Sequence, residues 1–354
     1  MATQSGLLLT APDEPYKIVS SIPIPRPGPK QVLVKSLVTG INPVEPMMFH
    51  TGSNILSPFP AVIGCEGSGA VAAIGPNATR FKEGDGIFGC TRLGVSECAT
   101  FQEHFLMDED LAYRRPGNLS AEEASTLGVA LDTAALGLVG GLGITLPEPG
   151  TKTEEKDEWI IILGGSGSVG AVAVQVARLA GYKVLASSSP AKAAVALSNG
   201  ATATFDHSLD IPGQVAEIKK VTGGNFNRVF DASARAHDTA AAALEQMSSA
   251  KEGKICCTVN TWTPFPDTPG IELYRVKLGE MGQDTDLGRE VTAKIASYIP
   301  SLEKHVANGA IKPLPYQLVE GKGWEAIIKA QEVFEKGVER KVAVRVQDER
   351  VTSW

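Results

Sequence analysis

The stretch from Trp159 to Gly181, WIIILGGSGSVGAVAVQVARLAG, restricts the fold of this chain more than any other segment. A short apolar run reads as a buried strand, the glycines as a tight turn, and the following small and apolar residues as a helix. Within it Gly165, Ser166, Gly167, Ser168, Val169 and Gly170 match the pattern G-x-G-x-x-G. That pattern carries little weight alone, but between a strand and a helix it is the context a dinucleotide requires. The first glycine permits the turn, the second lets backbone N–H groups approach a pyrophosphate, and the third allows close helix–strand packing. The anion then lies at the positive end of the helix. Beyond it KVLASS, PAKAAVALSNG, ATATF, NRVFDA, AAAALEQM and GKICCTV alternate strand with helix, which predicts right-handed βαβ units on a parallel sheet. The glycines of GLVGGLG, residues 137–143, follow no strand and read as a helix ending without a ligand.

The second strand of such a unit usually ends near a carboxylate that binds the adenosine ribose of NAD. No Asp or Glu occurs from Trp159 to Phe205; the strand ends instead in Ser187, Ser188, Ser189, Pro190, Ala191 and Lys192. Hydroxyls and an ammonium suit a ribose 2′-phosphate, so NADPH is expected over NADH. His207 could add a contact there. The alternatives are a solvated Lys192 in the first turn of a helix and a loop histidine bonded to water.

The chain has 354 residues, beyond the ~250–300 at which one core stops growing, so two domains are expected. Residues 1–125 read as short strands between Pro- and Gly-rich turns, and 308–354 return to that pattern. These segments are assigned to a β-rich domain, with 126–307 inserted as a nucleotide-binding domain. Residues 147–158, PEPGTKTEEKDE, read as an exposed loop. The formal charge is −7 and no basic tract of five or more residues occurs, which argues against nucleic acid as a partner. No uninterrupted apolar run approaches the ~18 residues of a membrane span and the N-terminus lacks a basic leader, so a cytoplasmic protein is expected. The five cysteines, at 65, 90, 98, 256 and 257, form no C-x-x-C pair and read as reduced thiols.

PRPGPKQVLVK, GINPVEP, GCEGSGAVAAIG, FKEGDGIFG, LGVALDTAALGL, GGSGSVGAVAVQVA and ERKVAVRV together resemble the medium-chain dehydrogenase/reductase superfamily over nearly the whole chain. The resemblance implies an α/β protein with a GroES-like β-rich domain plus a Rossmann doubly wound parallel-sheet domain, and substrate in the cleft between them. Zinc-dependent members take ligands at positions that here hold Asn42, Cys65 and, approximately, Val129. Catalytic zinc needs three protein ligands and an open position, so no metal is expected. Cys90 and Cys98 do not supply the four clustered cysteines of a structural zinc lobe. The segments NPVE, SSSPAK and FDHS are similar to zinc-independent quinone oxidoreductases and, more closely, to fungal trans-acting enoyl reductases that serve polyketide synthases. They also resemble fungal ToxD-like and zinc-type oxidoreductase-like proteins. By that resemblance the cofactor also touches Val44, Glu45, Val259, Asn260, Val342 and Ala343. Met47 stands where some trans-acting reductases carry a lysine, and a tyrosine familiar in quinone and enoyl reductases is absent from PMMFHTG.

Without a Lewis acid, the expected chemistry is NADPH-dependent reduction of an activated C=C bond. Charge then develops on a carbonyl oxygen, where one preorganised donor can contribute ~3–4 kcal/mol. Thr133 is the first candidate, binding either the nicotinamide ribose or the enolate, or else serving as a helix N-terminal residue bonded to backbone. Asn42 either orients the ribose or carboxamide or stabilises its turn. His50 is a candidate proton donor, with solvent as the alternative. The substrate is expected to be a small molecule or an acyl group on a carrier, with a polyketide synthase as partner; oligomeric state stays open. Residues 276–282, VKLGEMG, are expected to line the cleft or the outer sheet edge. Three rival classes are a quinone oxidoreductase, a catalytically inactive NADPH-binding partner protein and a zinc alcohol dehydrogenase with unusual ligands.

Overall fold

The computed structural model describes residues 2–52, 58–250, 253–338 and 340–349. They fall into two compact units, one of Met1–Val129, Gly279–Glu303 and Pro313–Trp354, the other of Ala130–Leu278 and Lys304–Lys312.

The first unit opens with β1 (Thr3–Leu8), antiparallel to β2 (Lys17–Pro23). Strand β3 (Gln31–Ile41) is almost wholly buried on both faces, as a central strand must be. After it come α1 (Val44–Thr51), β4 (Glu66–Ile74), β5 (Gly86–Cys90), β6 (His104–Asp108) and β7 (Tyr113–Arg114). The short α2 (Ala121–Ala124) begins with a capping box, in which Ser120 Oγ accepts from Glu123 N and the Glu123 carboxylate accepts from Ser120 N. Helix α3 (Gly128–Ala135) continues into a π-wound turn at Leu136–Gly141.

The second unit runs β8 (Trp159–Leu163), α4 (Ser168–Leu179), β9 (Lys183–Ser188), α5 (Ala193–Ser198), β10 (Ala203–Asp206), α6 (Ile211–Thr222), β11 (Phe226–Asp231), α7 (His237–Ala242), β12 (Lys254–Thr258) and β13 (Ile271–Arg275). All neighbouring pairs are parallel, in the order β10-β9-β8-β11-β12-β13. This is the Rossmann order, and it reverses between β8 and β11, where open parallel sheets bind ligands at their carboxyl ends. The helix-ending glycines serve packing: a Cβ on Gly137 would lie 2.8 Å from the Phe230 ring, and one on Gly141 2.6 Å from Tyr274.

The chain then forms α8 (Asp286–Ala307), β14 (Tyr316–Lys322), α9 (Trp324–Glu335) and β15 (Lys341–Arg345). Strands β14 and β15 join the sheet of the first unit, ordered β14-β15-β3-β4-β5-β7, with β6 also on β3. The expected boundaries at 125/126 and 307/308 differ from this division chiefly over residues 279–303. Side-chain bonds hold those residues to the first unit: Gln283 Nε2 donates to Leu93 O (3.1 Å), and Glu303 Oε2 accepts from Arg114 N (2.7 Å) and Arg80 Nη2 (3.2 Å).

Ala121–Gly141, though interrupted by Glu122, Glu123 and Asp132, has the length and mean hydropathy of a membrane span. In the folded chain 78% of its apolar window is buried, as in a core helix. All five cysteines are buried thiols outside any disulfide.

Candidate nucleotide site and the buried Glu66 cluster

In the second unit, strand β8 delivers the chain into a loop anchored on β9. Gly164 N donates to Ser187 Oγ (2.8 Å) and Gly165 N to Ser187 O (2.9 Å). The left-handed residue of the turn is Gly164, at φ +84°, rather than the first glycine of the motif. Gly165 excludes a side chain for another reason: its Cβ would meet that of Ala186 at 2.6 Å. Gly170 is tighter still, since a methyl there would lie 2.1 Å from Gly164 O, which is how α4 comes close to the strand. Gly167 is exposed, and its Cβ position meets nothing nearer than 3.4 Å. Helix α4 starts at Gly167 without a side-chain cap, so the amides of Ser168, Val169 and Gly170 are available to an anion.

At the end of β9, Ser188 is 2% exposed and its Oγ has no hydrogen-bond partner among the described residues. A buried hydroxyl left unpaired in this way fits a ligand that completes it. Ser189 and Lys192 are half-buried, and Lys192 N closes the turn onto Ser189 O (3.0 Å). His207 is exposed and its backbone N–H donates to Ser188 O (3.2 Å), which brings it to the same edge. One acidic group also stands there. Asp206 pairs with Ser188 across β10 and β9, and its carboxylate, held low by bonds from Ser208, accepts from Ser208 N at 2.9 Å. Beyond β12, Asn260 is buried and spans its loop. Its amide donates to Ala234 O (2.9 Å) and Thr263 Oγ1 (2.7 Å) and accepts from Trp262 N and Thr263 N. Val259 beside it is half-buried, and Thr133 is buried in α3. These residues fit a nicotinamide dinucleotide.

In the first unit, the three positions compared with zinc ligands do meet, around Glu66. Glu66 Oε1 accepts from Val129 N (2.8 Å), and Oε2 accepts from Asn42 Nδ2 (3.0 Å) and pairs with Lys341 Nζ (2.6 Å). Lys341 also donates to Asn42 Oδ1, and Asn42 Nδ2 lies 3.7 Å from Cys65 Sγ. A hydrogen bond with Cys90, burial and the Glu45 carboxylate push the Cys65 thiol well above its ordinary value. An amide, a protonated thiol, a backbone N–H and an ammonium do not make the donor set of a catalytic zinc. No group of three or more His, Cys, Asp or Glu side chains suited to a metal occurs among the described residues. Lys341 could not be singled out from the sequence, where it is one of three cations, with Arg340 and Arg345, in and beside the terminal strand.

The remaining predicted residues lie apart from open surface or in other bonds. Glu45 is fully buried and accepts from Asn42 N (2.7 Å) and Cys65 N (3.0 Å). Val342 and Ala343 are fully buried, facing two core clusters from β15, and Val44 packs partly against one of them. His50 is exposed on α1, with Nδ1 2.5 Å from Asp13 Oδ1 and Nε2 3.2 Å from Glu335 Oε1.

Two family models match the chain. The alcohol dehydrogenase GroES-like domain covers residues 28–117 and the zinc-binding dehydrogenase domain covers 168–260, together just over half of the sequence. The trans-enoyl reductase pyiC of Pyricularia grisea is 26% identical over 355 residues, covering 95% of this chain and 92% of that protein. The trans-enoyl reductase traG of Penicillium crustosum is 32% identical over 232 residues, 63% of this chain and 62% of that protein. Among solved structures, an alcohol dehydrogenase superfamily protein from Novosphingobium aromaticivorans has a TM-score of 0.78 at 23% identity, covering 97% of this chain and 100% of that one. The CurK enoyl reductase has a TM-score of 0.76 at 18% identity, covering 97% and 99%. Both share the fold.

Proposed function

Because the chain belongs to the medium-chain dehydrogenase/reductase superfamily, whose nucleotide loop and two-domain pattern it carries, we propose that it is an NADPH-dependent reductase of activated C=C bonds. Its substrate is an α,β-unsaturated carbonyl compound, either free or as an acyl thioester on the carrier of a polyketide synthase. The observation that carries the choice of chemistry is the Glu66 cluster. It fills the zinc position with an amide and an ammonium, so polarisation of an alcohol by a metal has no ligand set to support it. The relatives named trans-enoyl reductases support the same chemistry.

A nicotinamide dinucleotide held here would supply hydride to the β-carbon of the acceptor. The amides at the start of α4 would hold its pyrophosphate. Ser188, Ser189, Lys192 and His207 supply hydroxyl and cationic donors suited to the ribose 2′-phosphate, and the Asp206 carboxylate stands beside them as the opposing charge. Thr133 is the hydroxyl assigned to the developing enolate oxygen. His50 sits between two carboxylates on an exposed surface, so the proton for the α-carbon comes from solvent.

Purified protein with NADPH should reduce a crotonyl-type thioester or a simple enone, read by loss of nicotinamide absorbance. Turnover of a quinone alone would identify a quinone oxidoreductase. Tight NADPH binding with no acceptor reduced would identify an inactive partner protein. Lys192→Ala should raise the dissociation constant for NADPH by about tenfold, the effect of ~1.4 kcal/mol, and leave that for NADH nearly unchanged; equal effects would remove the 2′-phosphate contact.

A further inference from the structure

We propose that Lys341 is the resident cation of the position at which zinc-dependent members of the superfamily hold their metal. By saturating Glu66 and fixing the Asn42 amide, it closes that position to divalent ions. The inference does not depend on which acceptor is reduced.

Four observations support it. The Lys341 ammonium lies 2.6 Å from Glu66 Oε2, with both side chains almost completely buried. Lys341 also donates to Asn42 Oδ1, which turns Nδ2 of that amide toward Cys65 Sγ and Glu66 Oε2. The other oxygen of Glu66 accepts from Val129 N, so the carboxylate is bonded at two of the three ligand positions, and the third, Cys65, is reached through the Asn42 amide, all by donors that a metal would have to displace. Finally, the space for the ammonium is built in: a Cβ on Gly40 would lie 2.9 Å from Glu66 Oε2 and 3.3 Å from Lys341 Cε. A second cation brought into this volume would face an unscreened like charge, since burial removes the water that would separate them. Lys341 is thus a positioning residue, acting through Asn42 and Glu66.

The test restores the ligands in the full-length protein with Asn42→Cys, Cys65→His and Val129→Cys, once with Lys341 retained and once with Lys341→Met added. Zinc content after dialysis and the visible absorption of a Co²⁺-loaded sample are read on both, with circular dichroism and NADPH binding as controls for folding. About one zinc per chain and a tetrahedral cobalt spectrum are expected only when Lys341 is replaced. Stoichiometric zinc in the variant that keeps Lys341 would overturn the proposal, as would a folded Lys341→Met variant that still takes none. If the restored chains fail to fold, Co²⁺ titration of the unmodified protein and of the single variant Lys341→Met decides. A saturable thiolate-to-cobalt band in the unmodified protein would refute the closed position, and a band that appears only in the single variant would support it.

Discussion

Glu45 and His50 carry the two ionisable side chains of α1, and their surroundings assign them opposite roles. Both oxygens of Glu45 accept backbone N–H groups, from Asn42 and Cys65, inside a fully buried pocket. Burial pushes its carboxyl above the ordinary range, against the pull of those bonds and of Lys341. Glu45→Gln would turn an NH₂ toward one of the two donors. It should therefore cost about 1–3 kcal/mol, the penalty of a buried unpaired polar group, measurable by urea denaturation. His50 is exposed, and its bond to Asp13, partly opposed by desolvation and reinforced by Glu335, raises its pKa. A raised folded-state value means that its stabilisation is fully present below the unfolded value of about 6.5 and is lost as pH rises through the folded one. His50→Gln should flatten that slope by no more than about 1 kcal/mol, because exposed pairs are screened. Thermal melts across this pH range check it. Neither environment could be read from VEPMMFHT, because Cys65, Asp13 and Glu335 lie 20 or more positions away along the chain.

The loop between β8 and α4 separates what glycines do locally from what they do in packing. The spacing G-x-G-x-x-G announced the strand–turn–helix unit, and β8 and α4 form it. The left-handed turn nevertheless falls to Gly164, one residue before the motif, because β8 ends there and the next residue must lie flat against Ala186. Gly170→Ala would drive a methyl to within 2.1 Å of Gly164 O, so it should destabilise the second unit by about 1–3 kcal/mol or more and abolish NADPH binding. Gly167→Ala meets no such obstacle and should fold normally. Its methyl would still project from the exposed side of the loop, so NADPH binding should weaken. Melting curves paired with NADPH titrations distinguish the two outcomes. The paired strand β9 was legible as an apolar run ending in serines. That Ser187 anchors the loop while the next hydroxyl stays unpaired required the parallel register between β8 and β9.

Ligand binding to the folded chain links the nucleotide site to the stability of the protein. NADPH at about 100 times its dissociation constant should stabilise it by about 2.7 kcal/mol. NADH at the same concentration should stabilise it less, because it lacks the 2′-phosphate that Lys192 would meet. A thermal-shift series with both cofactors reads the difference, and Asp206→Asn should widen it. The alternation of strand and helix after Trp159 determined the parallel sheet, because burial on both faces demands apolar runs and short connections repeat at a fixed period. The glycine spacing pointed to where a dinucleotide would be held, since backbone approach depends on neighbouring residues alone. The Glu66 cluster was beyond such reading. Lys341 and Asn42 are 299 positions apart, and only the antiparallel register of β15 on β3, with Val342 opposite Ile41, brings them together. Tertiary structure thus decided which groups the residues at the zinc-ligand positions meet. A buried charge persists only beside its partner, and strand pairing selects that partner.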